Sequence, residues 1–131
     1  MFKISKLKNF KEKDIVSIFK SVGWTSGSLR DTPRLMQALL SSETVYSAYD
    51  GERMVGMLSV ISDGYNAYIT YLVVMKEYHN KGCGTQLMKE FMKDYKGYRK
   101  QVMTEKAEMF YRKFGFGKGM KNFAGLMECD L

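Results

Sequence analysis

The sequence predicts an α/β domain of mixed, α+β character, with a mostly antiparallel sheet flanked by helices. Three apolar runs of strand length lie between residues 45 and 74, separated by short Asp-Gly turns. Links that short leave no room for a crossover, so these strands must pair antiparallel. An amphipathic helix then separates the third run from a short apolar run at 101–104. Strand, helix and strand in that order make a parallel pair. Helical stripes occur on both sides of the three strands, so both faces of the sheet can be covered.

Each element has its own signal. Phe2–Leu7 reads as a first strand. Lys11–Val22 reads as a helix, with Ile15, Val16 and Phe19 on one side. Thr32-Pro33 reads as an N-cap and first helical residue; Leu35, Met36, Leu39 and Leu40 then repeat at helical spacing. Val45–Tyr49 and Met54–Ile61 are strands joined by Asp50-Gly51, and Asp63-Gly64 leads into Ala67–Val74. Leu87, Met88, Phe91, Met92 and Tyr95 mark the crossover helix, and Gln101–Thr104 the strand it reaches. Ala107, Phe110, Tyr111 and Phe114 mark a further helix that Gly115 caps. Phe123–Met127 is the last expected strand.

The 131 residues fit one domain, 1–131, with 45% hydrophobic and 27% charged residues, and contain no linker or repeat. Lys and Arg number 21 against 14 Asp and Glu, a formal charge of +7. That balance favours anionic partners: nucleic acid, an anionic membrane or a phosphorylated cofactor. Cys83 and Cys129 make neither a disulfide framework nor a metal site, and a single histidine, His79, excludes a His-pair zinc motif. No window approaches the roughly 20 apolar residues of a membrane span. The opening residues Met1–Lys6 lack the apolar run of a signal peptide, so a cytoplasmic location is expected.

The most informative stretch runs from Leu72 to Met88: a buried strand, a polar turn with Gly82 and Gly84, then a helix. A helix start offers backbone N–H groups and the positive end of the dipole, and glycines let a ligand approach that backbone closely. Together they suit a pyrophosphate. The dinucleotide fingerprint fails because Leu87 stands at its third glycine, and no P-loop spacing occurs. From spacing alone, a tight turn with no ligand stays open.

This stretch resembles motif A of the GNAT acetyltransferases, whose signature is Gln or Arg, two residues, Gly, one residue, then Gly or Ala. His79-Asn80-Lys81-Gly82-Cys83-Gly84 matches with both glycines; His79 departs from the usual Gln or Arg. Ala107–Phe116 also resembles the family's A-x-x-F-Y-x-x-x-G-F segment, and the element order is similar throughout. The resemblance implies the acyl-CoA N-acyltransferase fold with splayed central parallel strands. It also implies acetyl-CoA as donor and transfer to a primary amine by direct attack in a ternary complex.

The resemblance further implies site roles. Backbone groups of Leu72, Val73 and Val74 would pair with the pantetheine arm, and the Leu72 N–H would stabilise the oxyanion. The turn from His79 through Asn80, Lys81, Gly82, Cys83, Gly84 and Thr85 would hold the pyrophosphate. Tyr111 matches the tyrosine that protonates the leaving thiolate; its periodicity alone makes it core. No general base is readable. Tyr68, Tyr71 and Thr104 stand where relatives carry Glu, an acid and Asn, while Glu43, Asp63 and Glu105 remain as surface carboxylates able to accept a proton through water. Cys83 at a helix start is conceivable as a nucleophile but reads as core. Trp24 would line the acceptor pocket or pack between the first two helices.

A small-molecule amine is the expected partner, with a homodimer allowed and no membrane. Nucleic-acid binding rests on charge and on the Tyr, Phe and Lys interleaved between Phe91 and Phe123, without a recognised motif. A catalytically silent acyl-CoA sensor is the other alternative.

Overall fold

The computed structural model describes residues 1–104, 106–118 and 125–130. Among the described residues seven strands form one sheet: β1 (Lys3–Ser5), β2 (Thr44–Asp50), β3 (Arg53–Ser62), β4 (Asn66–Val74), β5 (Arg99–Met103), β6 (Gly117–Lys118) and β7 (Leu126–Cys129). Their order across the sheet is β1-β2-β3-β4-β5-β7-β6. Among these described strands β4 and β5 pair in parallel, and the other five pairings are antiparallel. The helices are α1 (Glu12–Ser21), α2 (Thr32–Ser41), α3 (Cys83–Asp94) and α4 (Glu108–Arg112).

The turns do what their residues dictate. Asp50 pairs with Arg53, leaving Gly51 and Glu52 as a two-residue loop, and Gly51 takes φ 62° at the first central position, where glycine carries no steric cost. At the β3–β4 turn, the Asp63 carboxylate accepts from the Tyr65 and Asn66 N–H groups at 2.9 and 2.7 Å. Asp31, not Thr32, caps α2, its Oδ1 accepting from the Arg34 N–H. Thr32 and Pro33 are thus already helical, one residue earlier than expected. The buried face of α1 is Ile15, Ile18 and Phe19; Ile18 replaces the expected Val16. The strand β6 is a two-residue element the sequence did not signal, and of the expected strand at Phe123–Met127 the first two residues lie outside the described residues.

Helices cover both faces of the sheet. Pairing in register puts Tyr46, Ala48, Gly56, Leu58, Leu72 and Val74 on one face. On that face Tyr46 donates to Asp94 of α3 at 2.8 Å. Gly56 sits tight beneath the start of α3: a Cβ there would stand 3.2 Å from both Cys83 Sγ and Val73 O. On the other face Tyr71 packs at a tilt against Phe19 of α1, ring centroids 5.2 Å apart. The core is fully buried on both sides of β3, whose residues from Met54 to Val60 are all buried. Burying each large apolar side chain stabilises the fold by about 1.5–3 kcal/mol.

The sheet parts at its centre. Parallel pairing of β4 with β5 runs from Asn66/Arg99 to Ile69/Val102 and stops, although β4 continues to Val74. At the same point the β3–β4 register shifts: Ser59 pairs with Tyr71 and Val60 with Ile69. Thr70 is therefore the extra residue of a β-bulge, held by Ser59 through a 2.6 Å hydroxyl contact. A bulge increases local twist and bends its strand, which turns β4 away from β5.

Candidate active site

Alternation decides which backbone groups face the split. Just beyond β4, the Met75 N–H donates to Val55 O of β3 at 2.7 Å. Backbone groups point to alternate sides of a strand, so those of Val73 turn to β3 and those of Leu72 and Val74 turn to the open side. His79 fits this: its Nε2 meets Val74 O at 2.7 Å. The Val73 side chain is also buried against the opposite face. The expected run of three cleft residues is thus corrected to Leu72 and Val74, because β3 already takes the groups of Val73.

The polar turn follows directly. Asn80 and Gly82 adopt φ 64° and 84°, left-handed values that Asn and Gly tolerate best. Gly82 is the N-cap of α3, and among the described residues no side-chain cap hydrogen bond reaches the helix start. A Cβ on Gly82 would meet nothing within 4 Å, so the uncapped helix start faces open space. A cavity of about 860 Å3 lies here, walled by Leu72, Val74, Gly82, Gly84 and Phe110. Gly84 faces across it: a Cβ would stand 3.4 Å from Phe110 Cζ and 3.9 Å from Val74 Cγ2.

Cations border this cavity. Lys106 and Lys113, in the segment that carries α4, join His79 on its wall. Lys81, expected beside the phosphates, instead holds its Nζ over the Tyr78 ring at 5.4 Å. Sequence reading missed Lys106, Phe110 and Lys113. No periodic signal marked the lysines: Lys106 precedes α4 and Lys113 follows it, and the fold alone brings both to this cavity. Asn80 and Thr85 line the same cavity. The Cys83 side chain is buried and desolvation pushes its thiol up to about 11; it is protonated and turned to the core, not a nucleophile.

A second cavity, of about 410 Å3, opens where the strands part. It shares Leu72, Lys106 and Ala107 with the first. Tyr111 lines it from α4, and Trp24 and Tyr71 line it from the opposite side. Tyr111 is only 5% exposed, and burial raises its phenol pKa, so it keeps its proton well past neutrality. Trp24 packs edge-on against Phe19, so it both packs and lines. Thr104 lines the cavity while its Oγ1 accepts from the Ala107 N–H at 3.0 Å, starting α4.

Two carboxylates considered as bases are committed elsewhere. Asp63 is held at the β3–β4 turn, where N–H donors lower its pKa to about 2. Glu43 accepts from Tyr95 Oη at 2.7 Å. Both stand level with the N-terminal end of β4, away from Leu72. Glu105 lies outside the described residues. Tyr68 pairs with Gln101 in the closed part of the β4–β5 ladder.

A split between parallel strands, a bulge at the split and an uncapped glycine turn make a slot for an extended ligand ending in phosphates. Comparison with known proteins agrees. A family model described as an acetyltransferase (GNAT) domain matches residues 41–118, more than half of the chain. The chain belongs to the GNAT acetyltransferase family. A GNAT-family acetyltransferase of Streptococcus pneumoniae is 32% identical, over 94% of this chain and 98% of that one, with a TM-score of 0.76. An uncharacterised N-acetyltransferase of Porphyra purpurea is 28% identical over 94% of this chain and 74% of its own. At 17% identity, an N-acetyltransferase of Thermoplasma acidophilum, solved in complex with coenzyme A, shares the fold over 100% of this chain and 99% of that one (TM-score 0.75). As a GNAT acetyltransferase, this chain has the splayed acyl-CoA N-acyltransferase fold. Among the described residues, no helix is long and apolar enough to cross a membrane, and no His, Cys, Asp and Glu group suits a metal.

Proposed function

We propose that the protein transfers an acetyl group from acetyl-CoA to a primary amine, both bound together. One observation carries the reading: two cavities meet at Leu72, Lys106 and Ala107, where β4 leaves β5, and Tyr111 opens into the second. Acetyl-CoA supplies an activated thioester acyl group. The residues present suit it. The uncapped N–H groups of Cys83, Gly84 and Thr85, with Gly82 open beside them, suit the pyrophosphate. Leu72 and Val74 offer strand-edge groups to an amide-bearing arm. Lys106 and Lys113 add positive charge for the phosphates.

In the second cavity each chain group has a task. Lys106 disfavours a second positive charge beside it, which lowers the pKa of an incoming ammonium and favours the neutral, nucleophilic amine. The Leu72 N–H, turned to the split, is placed to stabilise charge on the acyl oxygen. The amide C–N bond forms as the thioester C–S bond breaks. Tyr111 Oη gives its proton to the leaving sulfur and regains one, through solvent, from the amine. Tyr71 and Trp24 wall the acceptor's side.

Calorimetric titration with acetyl-CoA, followed by thiol-release assays against primary amines, tests this. Saturable binding and amine-dependent release of thiol are expected. Binding without release for any amine would leave a donor-binding protein in place of a transferase.

A further inference from the structure

A third cavity, of about 620 Å3, lies beside the second, with Tyr71 forming a wall of both. The approach to α2 and the helix's first turn line it through Arg30, Asp31 and Arg34, with Leu35 and Ala38 on the same wall. The chain has five arginines. Arg53, Arg99 and Arg112 are ion-paired, with Glu77, Glu128 and Glu108. Among the described residues Arg30 and Arg34 are in no ion pair, and both line this cavity. The neighbouring carboxylate, Asp31, spends Oδ1 on the Arg34 backbone N–H at 3.2 Å, as the cap of its helix. The local sum is therefore positive, with two guanidinium forks open to a ligand. Planar forks match carboxylate and phosphate oxygens two at a time, which an ammonium cannot exploit.

From this geometry we infer that the amine acceptor carries an anionic oxygen group, a carboxylate or phosphate, which Arg30 and Arg34 bind while the amine reaches past Tyr71 to the strand split. The inference rests on the transferase reading above and narrows its acceptor. Leu35, Ala38 and the Tyr71 ring leave an apolar floor for a short carbon chain between the two ends of such a molecule. A diamine of equal length would bring a second cation to two arginines and is disfavoured.

The test uses the full chain and amines of matched length: γ-aminobutyrate, n-butylamine and diaminobutane, with aminopropylphosphonate separating the phosphate-like arm from the carboxylate. The kcat/KM for an anionic amine should exceed that for butylamine by about tenfold, 1.4 kcal/mol. Arg30→Ala and Arg34→Ala should each lower that ratio, and Arg34→Lys should restore part of it. Added salt should shrink the ratio too, since both arginines are exposed. Calorimetry of γ-aminobutyrate into protein saturated with coenzyme A gives a readout that needs no turnover; its Kd should rise about tenfold in Arg34→Ala. If butylamine or diaminobutane is preferred, or both arginine variants keep the wild-type ratio, the inference is overturned while the transferase reading stands. If anions bind through the arginines but no amine is acetylated, the anion site stands and the transferase reading fails. Neither binding nor transfer overturns both.

Discussion

Replacing Gly84 tests the donor cradle more sharply than any other single change. A Cβ there would sit 3.4 and 3.6 Å from Phe110 Cζ and Cε1 and 3.9 Å from Val74 Cγ2. Those are ordinary contacts, so Gly84→Ala should fold well. In the first turn of α3 it should gain up to about 0.5–1 kcal/mol from helix propensity. Valine adds two methyls beyond that Cβ. They must press on Phe110 or project into the cavity between α3 and Val74. Overpacking of this kind costs about 1–3 kcal/mol, and filled space also blocks a ligand's approach to the N–H groups of the turn. Gly84→Val should therefore weaken acetyl-CoA binding at least tenfold, about 1.4 kcal/mol, while Gly84→Ala weakens it less. Gly82→Ala gives a contrast: its Cβ meets nothing, but its φ of 84° costs a non-glycine residue about 1–2 kcal/mol. That variant should lose thermal stability first. Calorimetry with acetyl-CoA, beside thermal melts, separates these effects. A folded Gly84→Val protein that binds acetyl-CoA as tightly as wild type would refute the cradle.

Tyr111→Phe keeps the ring and deletes the hydroxyl; single-turnover rates should fall about a hundredfold or more with acetyl-CoA affinity retained, and an unchanged rate would return Tyr111 to the core. Because burial raises its pKa, the phenol's contribution to stability is complete below its unfolded value of about 10 and is lost only as pH climbs through the higher folded value, so alkaline melts should be flatter in the variant. Acetyl-CoA affinity should fall with ionic strength, and Lys106→Ala or Lys113→Ala should reduce that slope more than Lys81→Ala, whose Nζ lies over Tyr78; equal slopes would count against the assignment. Asp63→Asn should leave turnover within about twofold, against the hundredfold expected of a lost general base. Since its folded pKa is depressed to about 2, its stabilising effect is present above about pH 4 and lost as pH falls through the folded value, so the two proteins' melting temperatures should converge in acid.

Periodicity and turn chemistry located most of the elements, because side chains that alternate or recur every third and fourth residue are what the core selects. It could not locate the bulge. Thr70 sits within the smooth run from Ala67 to Val74, and only the pairing with Ser59 and Val60 shows it to be the extra residue. For the same reason Val73 could not be told from Leu72 and Val74: which neighbour a backbone group faces depends on the partner strand. The α2 cap moved from Thr32 to Asp31 because a carboxylate one residue earlier reaches the Arg34 N–H. Lys106 and Lys113 look like any solvated lysines until β5 and α4 bring them to the turn before α3. Arg30 and Arg34 likewise acquire meaning only from the ion pairs that the other arginines make and they do not.

The tight seat of Gly56 beneath α3 carries a consequence for descent. A side chain at 56 would meet a side-chain sulfur, Cys83 Sγ, and a backbone carbonyl, Val73 O, at the same 3.2 Å. Trimming position 83 first would relieve one obstacle and leave the other, so no order of substitutions opens position 56 without also shifting β4. Position 83 can drift among small residues while Gly56 stays, whereas any side chain at 56 requires the β4 backbone to give by a few tenths of an ångström. Lineages of this chain should therefore show variation that is one-sided across the pair, with the strand glycine held and its partner free to wander.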